Sequence, residues 1–164
     1  MTASFSPFLI GVVAGMRALS APALLSRHLS QSPANPLANS RLHFLTNPNA
    51  AKTLTVLAGT ELLGDKAPNG PDRTSPPQLM VRLASGAVCG AAVGEAQGQS
   101  GRFGAVLGAA GALVGTFAFF HLRRYLTHER GLPDTAVALL EDALTLGAGW
   151  QVANTIATGN TSAS

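Results

Sequence analysis

From Phe103 to Phe120 the chain runs 18 residues without a charge, and no other feature narrows its fold so far. As a helix the run reaches about 27 Å at 1.5 Å per residue, close to a hydrocarbon thickness of roughly 30 Å. The remaining sequence has the same cast. Of 164 residues, 46% are apolar and only 12% are Asp, Glu, Lys or Arg, where a soluble domain carries about 25%. Mean hydropathy is +0.25. A soluble all-helical bundle needs charged outer faces on its amphipathic helices, and this chain has few charges to supply them. The expectation is one all-α integral membrane domain over residues 1–164, with the lipid bilayer as its main partner.

Four other apolar stretches are interrupted. Phe5–Leu29 contains Arg17 and Pro22, and Ala50–Ala67 contains Lys52, Glu61, Asp65 and Lys66. Leu79–Glu95 contains Arg82, and Thr135–Ala157 contains Glu141 and Asp142. Together with the uncharged run they predict a polytopic helix bundle of about five spans. Residues 30–49, rich in Ser, Asn and Pro, read as a polar loop, and residues 158–164 as a short polar tail. Residues 66–77 hold four prolines around Gly70, so that loop should be bent and stiff. The basic residues of the two loop sets number five against four, which leaves orientation open. Gly86, Gly90 and Gly94 recur every four residues. Gly104 and Gly108, then Gly111 and Gly115, do the same. Such faces let helix backbones approach closely, and a homo-oligomer is expected.

Several functions fall away. The net charge is +3 and the pI near 9.8, but the basic residues are scattered and only one Tyr and one Trp could stack on bases. A nucleic-acid partner is therefore not expected. A single cysteine, Cys89, permits no intrachain disulfide and no cysteine metal site. His28, His43, His121 and His128 form no helical zinc pair. With no phosphate-binding glycine loop and no Gly-x-Ser-x-Gly elbow, neither a cofactor nor an enzyme is expected.

The acids inside the apolar stretches carry the functional signal. Two acids at mid-depth cost roughly 5–7 kcal/mol on the insertion scale, and seven large aliphatics return only about 2–4. Glu141 and Asp142 must then turn inward toward partners or water, be protonated, or sit where the segment leaves the bilayer, and Ala138, Glu141, Thr145 and Gly149 fall on one helical stripe that offers a small, polar inward face. Ala58, Glu61 and Asp65 repeat the pattern. Thr55-x-x-Ala58-x-x-Glu61 and Thr135-x-x-Ala138-x-x-Glu141 align in register, each after a glycine-rich span, with one span between the pairs. That is the arrangement of two-helix inverted repeats around a central helix, as in many transporters. The candidate ligand or ion site is Glu61, Asp65, Glu141 and Asp142, with Arg17, Arg82, Lys66 and Arg73 as cations. Between Gly15 and Pro22 the helix should kink at Arg17 and free a carbonyl for that site.

Three functions compete. An ion or small polar solute could pass through the carboxylate site. The charges could instead only lock helix packing. In the third, Arg73, Lys66 and Arg82 hold a lipid phosphate while Asp65 or Glu61 acts as base.

The string ELLGDKAPNGPDRT (Glu61–Thr74), with GMRALSAP at Gly15–Pro22 and LLEDAL at Leu139–Leu144, resembles the membrane proteins grouped as domain of unknown function 4126. The resemblance runs from about Phe8 to Gln151. It implies a polytopic membrane fold and supplies no activity. The same string is also similar to the E-x-G-D-K-T motifs of cation–proton exchangers. It differs by an extra residue between Glu61 and Gly64, by Ala67 at the hydroxyl position, and by a second copy reduced to Glu141-Asp142.

Overall fold

The structure, a computed structural model, describes residues 5–32, 35–64 and 75–159. Every regular element in them is helical: α1 (Ser6–Met16), α2 (Ser20–Gln31), α3 (Pro48–Gly64), α4 (Pro76–Ala96), α5 (Gly101–Arg124) and α6 (Asp134–Gly159). A short 3-10 turn at His43–Thr46 precedes α3, and a π-helical turn at Tyr125–Glu129 extends α5.

Local sequence sets most of the boundaries. Prolines open α1 and α4 within their first two positions, where a missing N–H breaks no helical bond. Gly98 ends α4 at φ 71°. Its N–H bonds Glu95 O at 3.0 Å, and the Gln99 N–H bonds Gly94 O at 2.8 Å, the paired bonds of a glycine-terminated helix. Helix α5 outruns the uncharged stretch, since His121, Arg123 and Arg124 occupy its last turn, where cations suit the helix dipole.

Glycines join α1, α5 and α4 into one layer. A methyl built on Gly108 would overlap the Gly86 carbonyl, one on Gly11 the Gly108 carbonyl, and one on Gly111 the Phe8 carbonyl. These contacts pair α1 with α5 in parallel and α4 with α5 antiparallel. Backbone meets backbone at these glycines, and small residues such as Ala112 fill the seam between them, as close helix approach requires.

The stretch expected as one kinked span, Phe5–Leu29, is instead two short helices that fold back on each other. The chain leaves helical geometry at Arg17, whose φ and ψ are −145° and 117°, and resumes at Ser20. Arg17 meets Asp142 of α6. Gly149, two turns further along α6, faces both Leu24 of α2 and Val13 of α1. Both arms thus run along the same stretch of α6, in opposite directions. Pro22 does not kink a continuing helix but sits in the first turn of a new one, where its ring is tolerated.

Two further expectations change. Residues 35–47 are no bare polar loop: Leu37 and Leu45 are buried, and Ser26 Oγ donates to Leu45 O at 2.7 Å. Of the five expected spans, the described residues give two helices, Pro76–Ala96 and Gly101–Glu129, long and apolar enough to cross a membrane. The two proposed helix pairs also pack differently. Helix α3 lies along α2, whereas α6 packs mainly on α2 and α1 and touches α5 chiefly near its C-terminal end.

Two arginines share the interior with the apolar core, and many large apolar side chains lie on the surface. The largest fully buried side chains are Arg17 and Arg82, at 1% and 2% exposure, while Val106 is 67% and Trp150 57% exposed. On α6 the stripe Ala138, Glu141, Thr145 and Gly149 is buried, whereas Leu139, Leu140, Leu144 and Leu146 face outward.

Candidate functional site at the hairpin tip

Reversing the chain at Arg17–Leu19 strands the polar ends of two helices in the interior. The C-terminus of α1 presents carbonyls and the N-terminus of α2 presents N–H groups, each needing a partner when buried. Side chains from α3, α4 and α5 supply them. The Ala18 N–H donates to Glu61 Oε1 at 2.9 Å and the Leu19 N–H to Glu61 Oε2 at 2.8 Å. One carboxylate from α3 therefore caps the start of α2 with both oxygens. Arg82 Nη1 of α4 donates to Gly15 O and, at 2.9 Å, to Met16 O. Ser85 Oγ donates to Ala18 O. Thr116 Oγ1, bonded to Ala112 O at 2.8 Å, lies 3.2 Å from Gly15 O.

The signs follow the dipoles of the two half-helices. Glu61 sits at the positive end of α2 and Arg82 at the negative end of α1, each favourable by up to about 2 kcal/mol when partly buried. Arg17, in the turn itself, crosses to α6 and donates from Nε to Asp142 Oδ1 at 2.8 Å, with a second contact from Nη2. Both partners are largely buried, at 1% and 13% side-chain exposure.

Glu61, Arg82, Arg17 and Asp142 thus gather around the turn from Gly15 to Leu19. Glu141 has a different partner among the described residues. It is 4% exposed and lies 3.6 Å from Arg123 Nη1 of α5. Arg123 also donates to Asp134, from Nε at 2.9 Å and Nη2 at 2.7 Å. Adjacent residues of a helix point about 100° apart, so Glu141 and Asp142 serve two separate pairs. Asp65, Lys66 and Arg73 lie outside the described residues. The sequence reading missed Ser85, Thr116 and Arg123. Thr116 carried a signal as the one hydroxyl in the uncharged run; Ser85 and Arg123 carried none that distinguishes them from other residues of their kind.

Among the described residues no three His, Cys, Asp or Glu side chains gather as a metal site. The tip combines a carboxylate on free N–H groups, a guanidinium on free carbonyls and one buried ion pair. Such a centre can release one partner to a passing polar group or hold the fold shut.

The family model described as Domain of unknown function (DUF4126) matches residues 6–155. No curated protein and no solved structure matches the chain.

Proposed function

The chain belongs to the DUF4126 family, and from its geometry we propose an integral membrane protein that passes an ion or small polar solute along the tip of the α1–α2 hairpin. Helices α3 to α6 cross the bilayer in this reading, and the hairpin enters from one side and returns to it. Support for the membrane comes from the two long apolar helices and from the many large apolar side chains on the surface, Val106, Leu139 and Trp150 among them. Non-helical backbone at membrane depth is tolerated where protein or a water-filled path surrounds it. Interrupted helices with free termini are also where transporters hold their solutes. The observation that carries the proposal is the Glu61 carboxylate bonded to the Ala18 and Leu19 N–H groups at the interruption. An ion or solute that competes for Glu61, Arg17 or Asp142 would find polar backbone on both sides of it.

Purified protein in liposomes, loaded with a pH-sensitive dye and challenged with gradients of H⁺, Na⁺, K⁺ and Cl⁻, tests this. Flux above protein-free vesicles should fall at least tenfold in Glu61→Gln and in Asp142→Asn. Flux that both variants carry at the unsubstituted rate would remove the tip from the path.

One observation favours a second reading, in which the charges only fasten the hairpin. Glu61, Arg82, Ser85 and Thr116 each bond the exposed backbone of the turn, which is what a lock requires. It predicts that the same variants melt earlier and that none of the gradients dissipates through the unsubstituted protein.

A further inference from the structure

Helices α1 and α6 separate along one side and leave an apolar groove of about 650 Å³. Leu9, Val12 and Met16 of α1 form one wall, Leu144 and Ala148 of α6 the other, and Phe119 of α5 closes one end. We propose that this groove holds one acyl chain of an anionic phospholipid, with the phosphate at the arginines of the α5–α6 connection. The proposal rests on the membrane reading above and is independent of solute passage.

Length, lining and charge all fit that occupant. From Phe5 to Met16 the groove follows α1 for about 16 Å, half of a hydrocarbon core of roughly 30 Å, so it matches the chain of a single leaflet. Its sides open on a surface of exposed Phe5, Leu144 and Trp150. Phe119 and Leu144 line both the groove and a small cleft beyond it that reaches Arg123. One turn past Phe119, α5 ends in a basic cluster. Arg123, Arg124 and Arg130 lie there, against Glu129 and Asp134 of the connection and Glu141 beside Arg123 in the cleft. Arg123 is neutralised by Asp134 and Glu141, so the charge open to a phosphate is that of Arg124, which is exposed and makes no ion pair among the described residues, and of Arg130. Arg130 lies over the Tyr125 ring at 5.6 Å, its Nε bonded to Tyr125 Oη, which leaves the rest of its guanidinium for a phosphate. An anionic headgroup at these arginines places the tail in the groove and the glycerol beside Phe119. A neutral headgroup would gain the groove without the arginines.

Native mass spectrometry of the full chain in mild detergent, titrated with phosphatidylglycerol or phosphatidylcholine, tests the assignment. The unsubstituted protein should prefer phosphatidylglycerol, and Arg124→Gln and Arg130→Gln should each reduce that preference by about fivefold. Ala148→Trp, which fills the groove, should lower binding of both lipids, whereas Val106→Trp on the outer face of α5 should not. Equal binding of the two lipids, or unchanged binding in Ala148→Trp, overturns the proposal. So does a dimer that Ala148→Trp dissolves, since a second copy would then be the occupant. Carbonate extraction of cell membranes separates the two failures. Release of the protein by carbonate would defeat the membrane reading itself, whereas a retained protein with headgroup-blind binding defeats only the lipid site.

Discussion

Replacing Glu61 by glutamine changes one atom and tests the tip directly. The native carboxylate takes the Ala18 and Leu19 N–H groups on separate oxygens, at 2.9 and 2.8 Å. Glutamine keeps the length but offers one acceptor oxygen, so its amide nitrogen must face one of the two donors. That donor loses its partner in a partly buried site, at about 1–3 kcal/mol, and the other bond falls from charge-assisted to neutral, at about 1 kcal/mol more. Removal of a negative charge from the N-terminus of α2 adds a few tenths to about 1 kcal/mol. The sum is about 2–5 kcal/mol, which for a chain of this size lowers Tm by about 5–15 °C. The assay is thermal loss of helical circular dichroism in one detergent at one scan rate, with Glu129→Gln as control. Glu129 is exposed on the π-helical turn, and its variant should stay within about 0.5 kcal/mol of the unsubstituted protein. If Glu61→Gln melts within a degree of that control, the carboxylate is not the cap of α2 and the account of the tip fails.

Four further outcomes follow from the same contacts. Gly108→Ala should lower the yield of folded protein and its Tm, because the added methyl meets the Gly86 carbonyl and stands 2.9 Å from Gly90 Cα, an overlap worth about 1–3 kcal/mol or more. Gly59→Ala has open space around it and should be neutral or raise stability by up to about 1 kcal/mol. In a double-mutant cycle, Arg17→Met alone should cost about 3–5 kcal/mol by stranding Asp142, while adding Asp142→Leu should return much of that loss; additive effects would show that the pair does not interact. With Cys89→Ser as background, Ser40→Cys and Glu129→Cys should label from opposite faces of sealed vesicles, while tags at the two termini should report the same face; five full spans would put the termini on opposite faces.

Much of the bundle could be read in advance because the period and length of apolar stretches are local properties. The inward stripe of α6 is visible in the spacing of Ala138, Glu141, Thr145 and Gly149, and the α4–α5 seam in the four-residue glycine recurrence. The reversal at Arg17 was not visible, for a physical reason. Nothing in GMRALSAP distinguishes a kink from a hairpin, since Pro22 suits both. What turns the chain back is Glu61, Arg82, Ser85 and Thr116, from 42 to 101 residues away along the sequence. Among the described residues Glu141 meets Arg123 and Asp142 meets Arg17, a division that the roughly 100° between helical neighbours already allows. The leucines of residues 35–47 were masked by composition: a segment dominated by Ser, Asn and Pro still anchors itself through Leu37 and Leu45.

Site and fold are one arrangement in this protein, and that constrains how function can be measured. The turn exposes the N–H groups of Ala18 and Leu19 and the carbonyls of Gly15, Met16 and Ala18. In hydrocarbon each of these costs several kcal/mol without a partner. On the membrane reading, an isolated α1–α2 hairpin, 11 and 12 residues per arm with Arg17 at its tip, would leave these groups without partners in hydrocarbon, and Glu61, Arg82 and Asp142 are what close it. Any truncation to alanine at these positions removes a fold-closing bond along with a candidate solute contact, so lost flux would reflect lost protein as readily as lost chemistry. Isosteric changes avoid the ambiguity. Glu61→Gln and Asp142→Asn keep shape and at least one hydrogen bond, and flux counted per correctly folded molecule then separates a passage from a lock: a passage loses rate beyond its loss of folded protein, and a lock does not.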